Sequence, residues 1–544
     1  MQFNYKFKGS SSVESSSNST DVSFSPDLNR SPTFFVAKLK ESLIFREAVS
    51  ALHKVVVSDM RFKPKDRSDY KEWLNSQEKI WLAELVAQKE QFQERYEKIK
   101  AKLKALKEQE DKILKPFYTA RSKYFQYLLE NDYDKWFVLD PVISVHPDEI
   151  FFECFSQDES SYGKLSCDYE VFKEIDEHSF GTTNIDYSQN LYDEFQKIRD
   201  YKETSFKIDP TGFEVQTTHS QDFKEEKIDL PDSWVRGLLQ ISSAMSLEKT
   251  TFELLPIDIY NILLTLKRNR ERKSPRSIRF ILTPDRPIEM LIEPWNKRLK
   301  SISIYKGNTP KEIRIWGRRR LFILERLLPI AKSFRVSLLG SGMPSFWEAD
   351  LGLMRFTLGL SGWSANDWSG AGNFDLMSSR KSVDETTAKT IFEELSKDYI
   401  ASSSNLAKKL NLNKTTVESA LEMYAQRGRV LFDMSKNIYR LRELSNEPLP
   451  IEKLRFNTPQ EEKASNLLNA NLVNITDIST QNDNINIEGT ILDNGKKIET
   501  KVVIDKDLRI KDASCRCSFF FQNKLHKGPC EHILALKIKW QREN

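Results

Sequence analysis

The chain has 544 residues, of which 39% are hydrophobic and 30% charged, and its formal net charge is +4. This length exceeds what one hydrophobic core organises, so several domains are expected. The composition is that of a globular protein, and the small net charge excludes nucleic-acid binding by bulk charge alone. No apolar run approaches the length of a membrane span, and the five cysteines do not suggest a disulfide framework. We therefore expect a cytoplasmic protein without a membrane partner.

Up to residue 380 the sequence predicts a leader, a helical region and a central domain. Residues 1–32 are rich in Ser and Asn and lack periodicity, which is typical of a flexible leader. Residues 33–135 have helical spacing, and a 4-3 pattern of apolar residues lies within 68–127. This pattern fits either an amphipathic helix packed on its own domain or a coiled-coil seam. Residues 136–380 alternate β-rich and helical runs, which predicts a central mixed α/β domain.

Residues 384–444 predict a winged helix-turn-helix. The amphipathic stretch ETTAKTIFEELSKDY, the Ser-capped SSSNLAKKLNL and a helix after Asn413 precede a hairpin pattern, VLFDMSKNIYRL. The start of the third helix presents Asn413, Lys414 and Thr416 as candidate contacts to nucleic acid or a protein partner. Glu418, one turn further on, would place a carboxylate near phosphates, which favours a protein partner.

A linker with three prolines, 445–464, leads into the last predicted domain, 465–544. Apolar and polar residues alternate there as successive strands, and Asp-Asn-Gly at 493–495 is a strong hairpin turn. The final ILALKIKWQ has the spacing of a short helix. The domain is therefore predicted to contain a β-hairpin and a helix.

Four residues of metal-binding types form two pairs with equal spacing, Cys515-x-Cys517 and Cys530-x-His532. Residues two apart in an extended segment point to the same face, so the pairs can converge into a tetrahedral Cys₃His site. That donor set predicts one structural Zn²⁺ with no open position for a catalytic water. A disulfide would leave one cysteine and His532 unexplained. His526 is a substitute ligand, but it lies on a Lys/Gly-rich loop and is expected to face solvent.

The last sixty to eighty residues resemble the SWIM-type zinc finger. In that family C-x-C and C-x-H follow a β-hairpin and precede a helix, and the ligand positions fall on Cys515, Cys517, Cys530 and His532. The resemblance implies a zinc ion and a module that binds DNA or protein.

Most of the chain also resembles a bacterial family of SWIM-bearing proteins. The similarity lies in segments such as IDLPDSWVRGLLQ, IWGRRRLFILERLLPIA and PSFWEADLGLMRFTLGLSGWSANDW. Members are typically encoded beside a MoxR-type AAA ATPase and a von Willebrand A-domain protein. The resemblance implies protein partners of these two kinds and a non-catalytic role in an ATPase-linked assembly.

A cluster of arginines at Arg318, Arg319 and Arg320 is a further candidate contact for phosphates or an acidic partner, although a solvated helix face is the favoured explanation because charged helix faces are common. The sequence contains no phosphate-loop, nucleophile-elbow or HExxH motif, so we expect no enzymatic activity. The sequence thus predicts a multidomain α+β protein that docks protein partners. The alternative is a DNA- or RNA-binding protein that uses the winged helix and the zinc finger.

Overall fold

The structure is a computed structural model, and it describes the following residues: 12–15, 19–24, 33–58, 141–176, 178–184, 192, 195–201, 203–208, 232–269, 276–362, 383–444, 458–481, 484–505, 510–525 and 528–543. The chain divides into two compact units, Met1–Asp59 with Leu139–Asn544, and Met60–Val138. The second unit lies outside the described residues, and so does the predicted coiled-coil-like segment.

The first sheet joins strands that are far apart in the sequence. Its members are β1 (Ser12–Ser15), β2 (Ser19–Phe24), β3 (Phe34–Leu39), β7 (Phe172–Lys173), β8 (His178–Ser179) and β10 (Glu203–Ile208). The pair β2–β10 is parallel, and the other pairs are antiparallel. A flexible leader was expected over 1–32, but within it Val22 and Phe24 are buried. The alternation of these two apolar residues outweighs the surrounding Ser-rich composition.

A second, eight-stranded sheet forms the centre of the protein, and all its neighbouring strands are antiparallel. In spatial order the strands are β11 (Thr250–Leu254), β16 (Ser333–Leu338), β17 (Ser345–Asp350), β18 (Met354–Leu360), β6 (Ser161–Asp168), β5 (Glu149–Phe155), β4 (Val142–Val145) and β9 (Gly181–Asn184).

Both faces of this sheet are covered, and β5 shows how. Phe152 belongs to a core cluster that includes residues of helix α1 (Ser42–Val56). Phe151 and Phe155 belong to a different cluster, shared with helix α2 (Asp232–Ser246) and with residues 388–444. Burial on both faces explains why EIFFECF carries apolar residues on both faces rather than on alternate positions only.

A four-stranded antiparallel sheet, two helical segments and the sheets above complete the central part of the chain. The sheet contains β14 (Lys297–Ile304), β13 (Pro287–Ile292), β12 (Ile278–Leu282) and β15 (Lys311–Ile315). Helix α3 (Pro256–Arg268) and a 3-10 helix (Arg318–Leu327) pack with it. The predicted multidomain α+β class is confirmed, and neighbouring strands in both central sheets are antiparallel.

Residues 383–444 contain the three predicted helices and the predicted hairpin. The elements are α4 (Glu385–Asp398), α5 (Ser403–Leu410), α6 (Lys414–Gln426), β19 (Ile400–Ala401), β20 (Val430–Asp433) and β21 (Ile438–Leu441). Asp384 and Ser402 cap α4 and α5 with their side chains, whereas Asn413 occupies the cap position of α6 without a side-chain hydrogen bond. Leu406 and Leu421 are buried, as the pattern predicted.

The C-terminal part has its own hydrophobic cluster. A four-stranded antiparallel meander lies among three helices: α7 (Pro459–Asn469), β22 (Val473–Gln481), β23 (Asn484–Asp493), β24 (Lys496–Ile504), β25 (Ile510–Cys515), α8 (Ser518–Asn523) and α9 (Glu531–Glu543). The expected linker 445–464 therefore ends earlier than predicted. Thr458 accepts a hydrogen bond from Glu461 N–H, and Pro459 is the first residue of α7. Proline is favoured at this position of a helix, whereas the sequence analysis interpreted it as part of the linker.

Helices long and apolar enough to cross a membrane are absent from the described residues.

Candidate metal centre

The first ligand pair is placed by a strand and a helix cap. Cys515 is the last residue of β25 and pairs with Thr500 on β24. Cys517 is extended and occupies the cap position of α8, where its Sγ accepts a hydrogen bond from Phe520 N–H at 3.4 Å. The meander thus fixes one sulfur and the helix start fixes the other.

The second pair is placed by the start of α9. Cys530 directly precedes this helix and His532 lies in its first turn. Ile533 and Leu536 are buried and attach α9 to the meander. The contact is close, because a Cβ added to Gly489 on β23 would lie 2.3 Å from Leu536 Cδ1. Packing of the helix therefore sets the position of both ligands.

The four side chains converge, and their donor atoms all lie within 4.8 Å of one another. A tetrahedral zinc site with Zn–S bonds of about 2.3 Å needs sulfur atoms about 3.8 Å apart, so the cluster has the right size. Cys530 and His532 are 0% and 1% exposed. His532 Nδ1 is buried and has no hydrogen-bond partner among the described residues, as expected of a nitrogen that binds a metal. The residues fit one Zn²⁺.

The environment favours the metal-binding thiolate form at Cys515. A hydrogen bond from Cys530 lowers the pKa of Cys515 to about 3, against the opposing effect of burial. The Thr500 hydroxyl donates to the same sulfur at 3.7 Å. Hydrogen bonding to Cys515 and burial raise the pKa of Cys530. Three sulfurs this close cannot all be ionised without a cation, and Zn²⁺ supplies the charge that releases the remaining protons.

Comparison with known proteins agrees with this geometry. The model of the SWIM zinc finger matches residues 501–541. No curated protein matches the chain. Among solved structures, Proliferating Cellular Nuclear Antigen from Entamoeba histolytica is similar over 60% of this chain and 97% of that chain, with 10% sequence identity and a TM-score of 0.32. A likeness at that score supports no inference about fold or function. The chain therefore contains a SWIM zinc finger whose four ligands are positioned for one zinc ion.

The central arginines are placed differently from the sequence-based expectation. Arg318 and Arg320 are 4% and 3% exposed, and only Arg319 of the three faces solvent. Arg320 donates to the Ser160 and Gly362 carbonyls. Arg318 and Arg320 therefore do not present their guanidinium groups to phosphates or to an acidic partner, and Arg319 remains exposed.

Arg318 has a similar internal role. Its guanidinium donates to the Ser277 carbonyl at 3.2 Å and lies 4.5 Å from the centroid of the Trp295 ring. The apolar residues that follow it form a 3-10 helix rather than the expected amphipathic α-helix. Arg318 and Arg320 are thus both buried, each through contacts of its own.

The residues at the start of α6 remain at the surface. Asn413 and Lys414 are exposed, and Thr416 is partly exposed. Lys414 Nζ lies 3.4 Å from Glu418 Oε1, so its charge is paired within the helix. The structure does not bring this group together with the arginines.

A cluster of charged side chains, most of them buried, attaches the hairpin β20–β21 and was not predicted from the sequence. It is here called the hairpin ion cluster and contains Asp148, Glu149, Lys164, Asp433 and Arg440. Arg440 is 0% exposed, and its guanidinium lies 2.7 Å from both Asp433 Oδ2 and Asp148 Oδ1. Lys164 Nζ lies 3.2 Å from Asp433 Oδ2. The cluster joins the hairpin to β5 and β6 of the central sheet.

The pKa shifts in this cluster follow from its geometry. Burial alone would raise the pKa of Asp433, but Lys164 and Arg440 outweigh it and hold the pKa below the usual value. Asp148 shows the same balance, with Arg440 and Lys436 outweighing burial. A usable sequence signal existed in Glu149 and Glu153, which lie on one face of an otherwise apolar strand and needed cationic partners.

Proposed function

We propose that this protein is a non-catalytic subunit that docks protein partners through its zinc finger. The observation that supports this most is Phe521, which is 78% exposed on α8, four residues after the ligand Cys517. An exposed aromatic side chain on a metal-held element costs little entropy to bury against a partner, and such residues are frequent anchors of interfaces.

The surroundings of Phe521 favour an acidic partner surface. Lys524 Nζ lies 5.8 Å from the Phe521 ring centroid. The side chain of Arg516 is 82% exposed and lies 3.1 Å from Glu499 Oε2 in a surface ion pair. Residues 509–527 contain five Lys or Arg and one acidic residue. Cations around an apolar anchor suit a segment with carboxylates beside an apolar side chain.

A non-catalytic role is supported by the donor set. Cys515, Cys517, Cys530 and His532 fill all four positions of a tetrahedral zinc ion, so none is left for a substrate or a reactive water. The zinc in this proposal organises the docking surface and takes no part in chemistry.

We also propose that residues 383–444 are a winged helix used for protein contacts rather than for DNA. In a DNA-binding winged helix the hairpin must be free to meet the duplex. Here the turn residue Lys436 lies 3.0 Å from Asp168 Oδ1, and Ser435 donates to Glu348. Because the hairpin is attached to the central sheet by both its strands and its turn, it is unsuited to a groove.

The partners that we propose first are a MoxR-type AAA ATPase and a von Willebrand A-domain protein in the cytoplasm. The support is the sequence resemblance to a family encoded beside them. A coiled-coil seam within 68–127 would provide a second docking surface in such an assembly.

A second candidate function is single-stranded DNA or RNA binding by the finger. The same observations favour it, since exposed aromatic rings stack on bases and cations contact the backbone. Such binding would be electrostatic, and for about five neutralised phosphates on a single strand the affinity would fall by about 10² between about 50 and 200 mM salt.

The experiment is an affinity pull-down with the full zinc-loaded chain, with and without nuclease, followed by direct binding of the purified candidate partners. We expect retention of a protein partner at physiological salt, insensitivity to nuclease and a large loss on Phe521→Ser. Ile302→Ser is the matched control, because Ile302 is 75% exposed but lies on β14. Nuclease-sensitive recovery with direct oligonucleotide binding would replace the proposal with the second candidate.

A further inference from the structure

The imidazole of His532 has two different neighbours on its two nitrogens. Nε2 lies 3.3 Å from Asp493 Oδ2, whereas Nδ1 is buried without a hydrogen-bond partner among the described residues. The spacing of the motif identifies His532 as a ligand but does not say which nitrogen binds the metal. A carboxylate next to Nε2 favours a proton there, which leaves the lone pair on Nδ1.

Asp493 reaches this position because of the β23–β24 turn. Asp493 pairs with Lys496, and between them Asn494 and Gly495 have φ values of 48° and 75°, as a two-residue hairpin requires. The Asn494 side-chain amide donates to Asp493 Oδ1 at 3.0 Å. One carboxylate oxygen is thereby held within the turn, and the other is directed at His532.

We propose that Asp493 is a positioning residue of the zinc centre: its carboxylate accepts a hydrogen bond from Nε2–H of His532, so that the metal is bound through Nδ1. Its carboxylate restrains the ring and increases the basicity of the ligand nitrogen, as outer carboxylates do for zinc-bound histidines. The hairpin turn, more than twenty residues before the first ligand, is then part of the metal site.

A second acidic group allows a matched control. The carboxylate of Glu531 lies within 4.8 Å of donor atoms of Asp493 and His532, yet the hydrogen bond of Nε2 goes to Asp493. Asp493→Asn and Glu531→Gln each remove one negative charge near the ring. Only Asp493→Ala removes the hydrogen-bond acceptor.

The first measurement is zinc affinity of the full chain by competition with a chromogenic chelator. Loss of an outer partner of this kind typically weakens metal binding about 10- to 100-fold, which we expect for Asp493→Ala. Asp493→Asn, whose amide oxygen still accepts from Nε2–H, should lose less, and Glu531→Gln should resemble the wild type. Wild-type affinity in Asp493→Ala, or a loss in Glu531→Gln as large as that in Asp493→Ala, would overturn the proposal.

The second measurement needs no variant and so does not depend on folding of a mutant. The chain contains six histidines, so ¹⁵N-histidine labelling of the zinc-loaded protein gives a readable set of imidazole signals. We expect one ring that is protonated at Nε2 and metal-bound at Nδ1, with that Nε2–H signal lost or exchange-broadened in Asp493→Ala. A ring metal-bound at Nε2 and protonated at Nδ1 would exclude the proposed role of Asp493.

Discussion

The zinc finger and the hairpin β20–β21 are both held by buried polar groups, but they differ in how those groups are distributed along the chain. The finger's ligands lie between Cys515 and His532. The hairpin's partners extend from Asp148 to Arg440, almost three hundred residues apart. Short-range spacing is visible in a sequence, whereas ion pairing between distant elements is not. The finger was therefore predicted with its four ligands, whereas the hairpin was predicted without the ion pairs that attach it to the central sheet.

The two regions should also differ in what their removal does. Zinc binding is coupled to folding, so loss of the ion should act locally on the small C-terminal cluster. Loss of one buried charge should act on the central sheet and the hairpin together, because the partner charges stay buried.

The largest effect is expected for the ligand substitution Cys530→Ser. Structural zinc contributes about 10 to 16 kcal/mol of apparent binding free energy, so this change should reduce bound zinc from one ion per chain to near zero and unfold residues 458–543. Metal analysis and circular dichroism measure both outcomes. Cys167→Ser is the control, since Cys167 is a buried free thiol away from the four ligands and should retain zinc. A Cys530→Ser protein with full zinc content would refute the ligand assignment.

The next effect is that of Arg440→Met in the hairpin ion cluster. The substitution removes the only cation among the described residues that pairs with all three of Asp148, Glu149 and Asp433. Breaking a buried pair in this way typically costs about 3 to 5 kcal/mol in the free energy of unfolding, measured by chemical denaturation. The zinc content should not change. Lys414→Met, which breaks the exposed pair with Glu418, should leave the denaturation midpoint close to the wild-type value. Equal midpoints for the two variants would show that the cluster does not hold the hairpin.

A smaller effect is expected from acid. The pKa values of Asp148 and Asp433 are lowered in the folded state. Groups with a lowered folded pKa contribute stability above the unfolded value of about 4, and that stability is lost as the pH falls below it. The denaturation midpoint of the central region should thus be steady between about pH 7 and 5 and should decrease below about pH 4. The double variant Asp433→Asn/Arg440→Met should show a weaker decrease, and an equal one would exclude Asp433 as a source.

The smallest effect on stability is expected for Phe521→Ser. Its ring is mostly in solvent, and changes at such sites usually alter the free energy of unfolding by less than about 0.5 kcal/mol. Zinc content and thermal midpoint should match the wild type while partner binding decreases. A clearly lower midpoint would mean that the ring supports the finger and is not available for docking.

The sequence predicted those parts of the fold in which signals lie close together. The capped helices and hairpin of 383–444, the Asp-Asn-Gly turn and the four zinc ligands were identified from local patterns. The order of the strands in the central sheet was not, because β6 pairs with β18 almost two hundred residues later. Such pairings depend on which apolar faces meet, and periodicity within one segment does not contain that information.

The three central arginines are a second case in which contacts between distant segments could not be predicted from the sequence. A run of three cations predicts exposure, because isolated charges are costly to bury. Arg320 is buried because it reaches carbonyl oxygens at Ser160 and Gly362, which come from distant parts of the chain. The 3-10 helix begins after Gly317, whose φ is 68°. The sequence alone does not predict this backbone conformation or the orientation of the arginines that follow it.

The most direct measurement of the central claim is hydrogen exchange of the full chain with zinc bound and after chelation. If zinc organises the C-terminal domain, chelation should remove amide protection from β22 to β25 and α9, while β20, β21 and the central sheet keep theirs. Rebinding of one zinc per chain should restore protection and partner binding together. Unchanged protection in the C-terminal meander after chelation would contradict this role of zinc, because the ion would then not organise the docking surface.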